Sequence, residues 1–502
     1  MQATEKPRFR LRMMHVVYAA IIYCALVGAI WPRRTYDIWW HLATGKHIVE
    51  THQLPKRDLF TYTRQGRPWI AHEWAWEIAM YRLYHAWGFA GLLALKVAVA
   101  VAAAVLLAWL CFRRGGREIP VLLVVIVAIF AAAPLFNVRP QVSGILLLTL
   151  MLCLIELAQT GKERWLLLSP VVMVAWVNVH GGFIFGPGVL CLFLLCLIPQ
   201  WWRQRREGLP LQPAPLVVIG SLALACAACL INPNGLAGAT YPFEYISGEH
   251  AWHKTIITEY KSPDFSKPIF LYLEMFILLV VLCFALSRRR MKLLDLALVL
   301  GFLHITLKWE RNTALFAFVV APIAAQHLTG LLQDLGLFKA EQPERQRGEP
   351  QLFYWLIVLA LAGGAIASGP AALNRVEETF AKDYPTECVE VARQADLQGN
   401  MFNTYRWGGY LIWKLWPEHL VFIDGRADVM GRDLMEDFQR AHKLQPGWRE
   451  VLDRHEVQWV IISATSPLCR ALRLDPDFAL LHATDNGELF ARWAKGDTAA
   501  PP

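Results

Sequence analysis

The residues best suited to chemistry stand in Tyr36-Asp37-Ile38-Trp39-Trp40-His41, directly after the first apolar run of the chain. On a helix, Asp37 and His41 fall four residues apart and share a face. A carboxylate and an imidazole held together serve as a general base or as part of a metal site. The plainer reading is an interfacial helix with Asp37 as its N-cap and Trp39 and Trp40 as membrane anchors. The same segment continues to Asp58, in Lys56-Arg57-Asp58-Leu59-Phe60-Thr61, and to His72 and Glu73, in Pro68-Trp69-Ile70-Ala71-His72-Glu73-Trp74-Ala75-Trp76-Glu77. Asp37, Asp58 and Glu73 are expected to gather into an acidic cluster. Such a cluster would bind a divalent cation such as Mg or Mn through oxygen ligands, or raise one carboxylate's pKa until it acts as a base. No spacing among them is specific for a metal.

More candidates sit at the ends of later apolar runs. Arg139 lies in Asn137-Val138-Arg139-Pro140, His180 in Asn178-Val179-His180-Gly181-Gly182, and Lys308 and Arg311 in Lys308-Trp309-Glu310-Arg311-Asn312. Arginines that face a cavity bind phosphate bidentately; the alternative is snorkelling to the interface. The glycines after His180 permit a tight turn or close backbone approach. Glu259, in Ile257-Thr258-Glu259-Tyr260-Lys261, is a further carboxylate or simply the cap of a loop.

The elements that must position these groups are membrane spans. Of 502 residues, 56% are hydrophobic, the mean hydropathy is +0.34, and the apolar residues come in blocks of the length a bilayer requires. Eleven spans are expected, near 14–31, 87–111, 119–136, 141–159, 165–178, 183–200, 214–231, 269–286, 293–308, 313–330 and 352–368. The first is long for a signal sequence and has no small-residue cleavage site after it. Basic residues recur in every second connection: Lys6, Arg8, Arg10 and Arg12, then Arg113, Arg114 and Arg117, then Lys162 and Arg164, Arg203 to Arg206, Arg288 to Lys292, and Lys339, Arg345 and Arg347. That pattern puts the N-terminus in the cytoplasm and residues 32–86 and 370–502 outside. It also accounts for the net charge of +8 without nucleic acid as a partner. All the candidate residues above then fall on the outer side, drawn from separate loops.

Residues 1–369 therefore read as a transmembrane domain with a long first outer loop at 32–86, and 370–502 as an outer α/β domain. In the latter, helical patterns at 385–394, 408–415, 434–442 and 448–454 alternate with strand-like runs at 400–403, 420–423 and 457–463 and a closing hairpin at 478–493. The alternation predicts a mostly parallel sheet. Two loops follow strands, one with Trp407 and Tyr410 and one with Asp424 and Arg426. Strand carboxyl ends are where such sheets bind ligands, and turn chemistry is the alternative. Eight of the ten cysteines lie in or beside apolar runs. Cys388 and Cys469 stand alone in the outer tail, and a disulfide between them is expected.

Taken together, the chain resembles the GT-C glycosyltransferases, on Asp37 within Asp-x-Trp-Trp-His and on the long first loop that ends before the second span. A weaker likeness joins Tyr405-Arg406-Trp407-Gly408-Gly409-Tyr410 and Asp424 to the Trp-Trp-Asp-Tyr-Gly segment of the oligosaccharyltransferase catalytic subunit, although the central Asp is missing here. The arrangement is also similar to that of bacterial membrane proteins with no settled activity. The resemblance implies a multi-pass enzyme of the bacterial inner membrane, with its C-terminal domain in the periplasm. It would transfer a sugar from a polyprenyl-phosphate carrier to a glycan, lipid or protein acceptor. Asp37 would be the base or a metal ligand, and Asp58 and Glu73 would complete that site. His41 and His72 would position groups. Arg139 and Arg311, with His180 and Lys308, would hold the carrier phosphate, and Glu259 and the tail residues would shape acceptor choice. The alternatives are a non-enzymatic transporter or scaffold of envelope glycan assembly, or a related polysaccharide polymerase or ligase. A transporter would show internal repeats and charges at mid-membrane, and neither is evident.

Overall fold

The computed structural model describes residues 11–30, 35–247, 252, 257–337 and 350–493. Lys6, Arg8, Arg10, Lys339, Arg345 and Arg347 lie outside the described residues. In chain order the helices are α1 (Met13–Ile30), α2 (Ile38–Thr51), α3 (Trp74–Arg113), α4 (Glu118–Ala132), α5 (Gln141–Gln159), α6 (Ser169–Val177), α7 (Phe185–Arg206), α8 (Pro215–Ala228) and α9 (Gly235–Ser247). Then follow α10 (Leu271–Leu286), α11 (Leu293–Lys308), α12 (Thr313–Asp334), α13 (Gln351–Asp383), α14 (Thr386–Gln394), α15 (Gly408–Leu415), α16 (Ala427–His442), α17 (Trp448–Arg454) and α18 (Pro467–Leu472). The strands are β1 (Asn400–Asn403), β2 (Val457–Ser463), β3 (Phe478–Ala483) and β4 (Gly487–Arg492).

The chain forms two compact units, both discontinuous in sequence. The first comprises Met1–Arg33, Leu93–Asn232 and Lys254–Ala372; the second comprises Arg34–Leu92, Pro233–His253 and Leu373–Pro502. The first outer loop thus clusters with the C-terminal tail, where the sequence had grouped it with the membrane spans. Its own contacts explain this: Phe60 and Tyr62 exchange backbone hydrogen bonds with Val421, and Thr61 and Val421 form a parallel bridge.

Among the described residues, eight helices are long and apolar enough to cross a membrane. The three other expected spans are also helical but shorter. Residues 165–178 become a 3-10 turn, Glu163–Leu168, that runs into α6, while α8 has 14 residues and α11 has 16. The chain is a multi-pass α-helical membrane protein. α12 is the core of the bundle, with 83% of its apolar window buried, and it packs on α4, α10 and α11. α13 is the opposite case at 6%. It is apolar all round and covered by little protein, which suits a helix that faces lipid. α3 is 40 residues long, about twice what a bilayer needs at roughly 1.5 Å per residue. It breaks at Gly88, whose φ of 57° lies in the left-handed region that glycine enters without strain.

The second unit holds a four-stranded sheet in the order β1-β2-β4-β3. Only β1 and β2 are parallel; β2–β4 and β3–β4 are antiparallel, so the expected mostly parallel sheet is corrected to a mixed one. The reason is the closing hairpin, whose second strand returns alongside β2. Residues 420–423 do not join that sheet either. They pair instead with Phe60–Tyr62, and the Asn403 side chain supplies their other partners, Oδ1 accepting from Phe422 N at 2.9 Å and Nδ2 donating to Ile423 O at 2.9 Å.

Two more expectations are corrected. Trp39 is no membrane anchor: it is 4% exposed, ringed by Tyr84, Phe89, Phe380, Tyr384, Tyr410 and Trp413. Cys388 and Cys469 are free buried thiols and not a disulfide. Cys388 on α14 hydrogen-bonds Thr484 and Cys469 on α18 hydrogen-bonds Glu488, so each has a partner of its own.

Candidate functional site

Asp37 occupies the N-cap position of α2 but does not cap it. Its φ and ψ are −77° and −19°, already helical, and its side chain makes no cap hydrogen bond. The carboxylate instead meets the Asp424-Gly425-Arg426 loop. A Cβ added to Gly425 would run into Asp37 Oδ1 and come within 3.1 Å of Trp40 Nε1. Gly409, at the start of α15, is fitted less tightly. Its Cβ would stand 3.2 Å from Trp40 N and from Tyr36 O. Both tail loops therefore pack with glycine against the first turn of α2, and a larger residue at Gly425 must displace the Asp37 carboxylate or the loop.

His41 is 1% exposed and lies between Glu77, in the first turn of α3, and Glu73, which immediately precedes that helix. Nδ1 is 3.0 Å from Glu77 Oε1, and Nε2 is 3.9 Å from Glu73 Oε2. The other oxygen of Glu73 is 3.7 Å from His72 Nε2. The His72 ring stacks on Tyr241 with centroids 4.3 Å apart, and the Tyr241 hydroxyl donates to Asp428 Oδ2 at 2.9 Å. Burial and the neighbouring Asp428 push the Tyr241 phenol well above its usual value, so it stays protonated and remains a donor. The result is a cluster of protonatable groups, Glu77, His41, Glu73, His72, Tyr241 and Asp428, in which His41–Glu77 and Tyr241–Asp428 are hydrogen-bonded pairs. Glu77 is 1% exposed, and its Oε2 has no hydrogen-bond partner among the described residues.

Asp58 is placed differently from the expectation of an acidic cluster with Asp37 and Glu73. Its Oδ2 accepts from Thr61 N at 3.1 Å and Thr61 Oγ1 at 2.5 Å, and its Oδ1 accepts from Phe60 N at 3.3 Å. Arg426 Nη2 then sits 2.7 Å from Asp58 Oδ1 and 2.5 Å from Asp424 Oδ2, with Nε 3.0 Å from Asp424 Oδ1. The guanidinium also lies over the rings of Phe60 and Trp69. One buried arginine thus serves two buried carboxylates. Burial raises the Asp424 carboxyl above its ordinary range against the pull of Arg426. Both oxygens of Asp58 are engaged, and Asp37, Asp58 and Glu73 do not assemble as a cation cage. Among the described residues, no three His, Cys, Asp or Glu side chains converge to hold a metal.

Trp407 and Tyr410 are inside the second unit. The Trp407 indole donates to Asp383 O at 2.9 Å; Tyr410 stacks on Tyr384 and its hydroxyl is 3.1 Å from Thr386 Oγ1. They hold the end of α13 and the start of α14 to α15, behind the glycines that face α2.

The first unit brings together a separate group. Arg139 Nη1 is 2.6 Å from Glu259 Oε1, and the Arg311 guanidinium lies 4.5 Å from the Tyr260 ring centroid. Arg139, and Arg311 more weakly, hold the Glu259 carboxyl below its usual value. Glu310 N donates to Lys261 O at 2.8 Å, which ties the loop of Glu259 to that of Arg311. Lys308 stands over Trp309, its ammonium 4.9 Å from the ring centroid. His180 accepts from Gly182 N at 3.1 Å and packs on the Cα of Gly144.

Glu77, Asp428 and Tyr241 were missed from sequence. Glu73 and Glu77 are four apart and share a helical face, a signal that was present. Asp428 follows Arg426 by two residues. Tyr241 arrives from a distant segment with no local signal.

No protein-family model matches the sequence, and no curated protein does. Solved structures do. The oligosaccharyltransferase of Archaeoglobus fulgidus in its apo form superposes with a TM-score of 0.57 at 11% identity, over 90% of this chain and 69% of that one. The archaeal oligosaccharyltransferase AglB from the same organism, in complex with an inhibitory peptide and a dolichol-phosphate, gives 0.54 at 13% identity, over 97% and 75%. ArnT from Cupriavidus metallidurans, bound to undecaprenyl phosphate, gives 0.53 at 12% identity, over 96% and 97%. The chain shares the fold of these solved structures. At these identities the likeness is one of fold. Within this chain, the first outer loop and the C-terminal tail belong to one unit, which includes Asp37.

Proposed function

We propose that the protein transfers a sugar from a polyprenyl-phosphate carrier to an acceptor hydroxyl or amide at the outer face of the membrane. The orientation has the N-terminus in the cytoplasm and the C-terminal domain in the periplasm of a bacterial inner membrane. The single observation that carries the reading is the Asp37 carboxylate at the first turn of α2, fitted against Gly425 of the tail. The lipid carriers bound by ArnT and AglB, structures of the same fold, add support for the donor class.

In this reading Asp37 accepts the proton of the acceptor. The acceptor atom bonds to sugar C1 as the C1–O bond to the carrier phosphate breaks, and the electron pair leaves on the phosphate oxygen. Arg139 and Arg311, which the resemblance casts as phosphate ligands, belong to the first unit, where Arg139 pairs with Glu259 and Arg311 lies over Tyr260. His41, held between Glu73 and Glu77, keeps the surroundings of the base hydrogen-bonded. A sugar phosphate is a good leaving group, and no step is drawn through a divalent cation.

The test is sugar transfer from lipid-linked donor extracted from the native host, using membranes that contain wild type or Asp37→Asn. Loss of transfer in the variant, with its thermal unfolding unchanged, supports the reading. Equal transfer by both proteins sinks it and favours a non-enzymatic scaffold.

A further inference from the structure

We propose that the first unit carries a second ligand site, a cleft that holds the phosphate of an anionic membrane lipid at the end of the bundle away from Arg139 and Arg311. The cleft has a volume of about 550 Å³ and lies among the ends of α5, α7 and α11 and the connection that leads into α8. Its level follows from the helices that line it. α5 starts just after Arg139 and reaches the cleft at its last residue, Gln159. α11 starts in the cleft at Leu293 and ends at Lys308, three residues before Arg311. The 19 residues of α5 separate the two ends by roughly 28 Å, about the thickness of the hydrocarbon core. A ligand here comes from the other leaflet, so the site is independent of the transfer reaction.

The lining suits a phosphate ester. Its charged side chains are Arg203 and Lys292, both cationic, and it includes no carboxylate. Lys292 Nζ donates to Gln159 Oε1 at 3.2 Å, which leaves the Gln159 amide N–H groups for another acceptor. The first turn of α11 has no side-chain cap and adds backbone N–H donors. The wall is fixed in place: Gln200 Nε2 donates to Gln212 O at 2.6 Å, and Trp201 Nε1 to Pro213 O at 2.9 Å. Phe193, Leu197 and Leu293 supply an apolar side. Leu195 and Ile198 on the same stretch of α7 are exposed, as side chains in contact with acyl chains would be. A soluble anion has no use for that apolar side, whereas a lipid has. Basic pockets between membrane helices are a recurrent mode of headgroup recognition.

The experiment uses the full chain in phosphatidylcholine nanodiscs, titrated with phosphatidylglycerol and read by native mass spectrometry. Wild type is expected to retain phosphatidylglycerol over phosphatidylcholine by roughly tenfold or more, the effect of two basic side chains near the surface. The double variant Arg203→Gln/Lys292→Gln loses that preference. The control Arg205→Gln/Arg288→Gln removes the same charge from exposed positions outside the cleft and keeps it. The proposal is overturned if wild type shows no preference, or if both pairs lose it equally, which would mean surface charge alone. Displacement of the lipid by millimolar inorganic phosphate would assign the cleft to a soluble anion and overturn the lipid as ligand.

Discussion

Glu77 Oε1 lies 3.0 Å from His41 Nδ1, and both side chains are buried. Glu73, just before α3, and Glu77, in its first turn, bracket the two nitrogens of the imidazole. Removal of Glu77 leaves a buried N–H without an acceptor, at a cost of about 1–3 kcal/mol. Glu77→Ala should therefore lower the thermal unfolding temperature of the full chain. Glu77→Gln keeps an oxygen to accept from Nδ1 and should keep most of the stability. If Glu77→Ala unfolds where wild type does, the contact is idle.

Arg426 is the only cation within hydrogen-bond reach of Asp58 and Asp424 among the described ion pairs. Arg426→Met should destabilise the protein by about 3–5 kcal/mol, because two buried carboxylates lose their counter-charge. Asp424→Asn in that background should restore part of the loss. The sign with pH is definite. The Asp424 carboxyl is already raised by burial, so its proton is bound more tightly folded than unfolded, and this contribution favours folding at low pH and fades as pH rises through the folded value. The Arg426→Met deficit should accordingly shrink near about pH 4, where carboxylates take up protons. A deficit that is the same at acid and neutral pH would contradict the charge account.

Gly425 and Gly409 are where the tail touches the first turn of α2. Gly425→Ala places a methyl against Asp37 Oδ1 and so must displace the carboxylate or the loop. Transfer should fall by roughly 100-fold, since a shift of about 1 Å at a reacting group has that effect. Gly66→Ala is the comparison. Its added Cβ would meet nothing within 4 Å, although its φ of 77° adds backbone strain of its own. Transfer rates for the two variants, each normalised to folded protein, decide the matter: equal losses would show that Asp37 does not need its place beside Gly425.

The membrane architecture was legible because period and length carry it. Long apolar blocks with alternating basic loops have few other solutions: of the eleven expected spans, eight are helices long and apolar enough to cross a membrane, and the other three are shorter helical segments. The tail helices and the closing hairpin were legible for the same local reasons. What was hidden was long-range. Residues 420–423 have the composition of a sheet strand, but their partners are Phe60–Tyr62 and the Asn403 side chain, which no local pattern announces. Trp39 looked like an interfacial anchor because indole at a span end usually is one; the six rings that surround it come from α3, the end of α13 and α15 with the residues between, and no local pattern joins them to it. Asp58 read as a member of an acidic cluster because its partner Arg426 is far away in sequence. The site as a whole joins 34–92 to 373–502, and a sequence without aligned relatives carries no record of that pairing.

The last prediction concerns the first unit. Arg139, with a smaller contribution from Arg311, lowers the Glu259 carboxyl from its usual 4.5. A carboxyl held low when folded binds fewer protons in the folded state than in the unfolded chain. Its stabilising contribution is then fully present above the ordinary value and is lost as pH falls through the folded one. In Arg139→Gln the carboxyl returns part of the way, Arg311 still acting on it. The variant should therefore be less stable than wild type at neutral pH, and the two should converge as pH falls below about 4.3, the ordinary glutamate range. The pair is partly exposed, at 23% and 28%, so salt should also narrow the gap by screening. Thermal unfolding of both proteins across pH at two ionic strengths measures this. A gap that stays constant with pH and salt would mean that Arg139 acts by packing and not by charge, and would remove the electrostatic basis for casting it as a phosphate ligand.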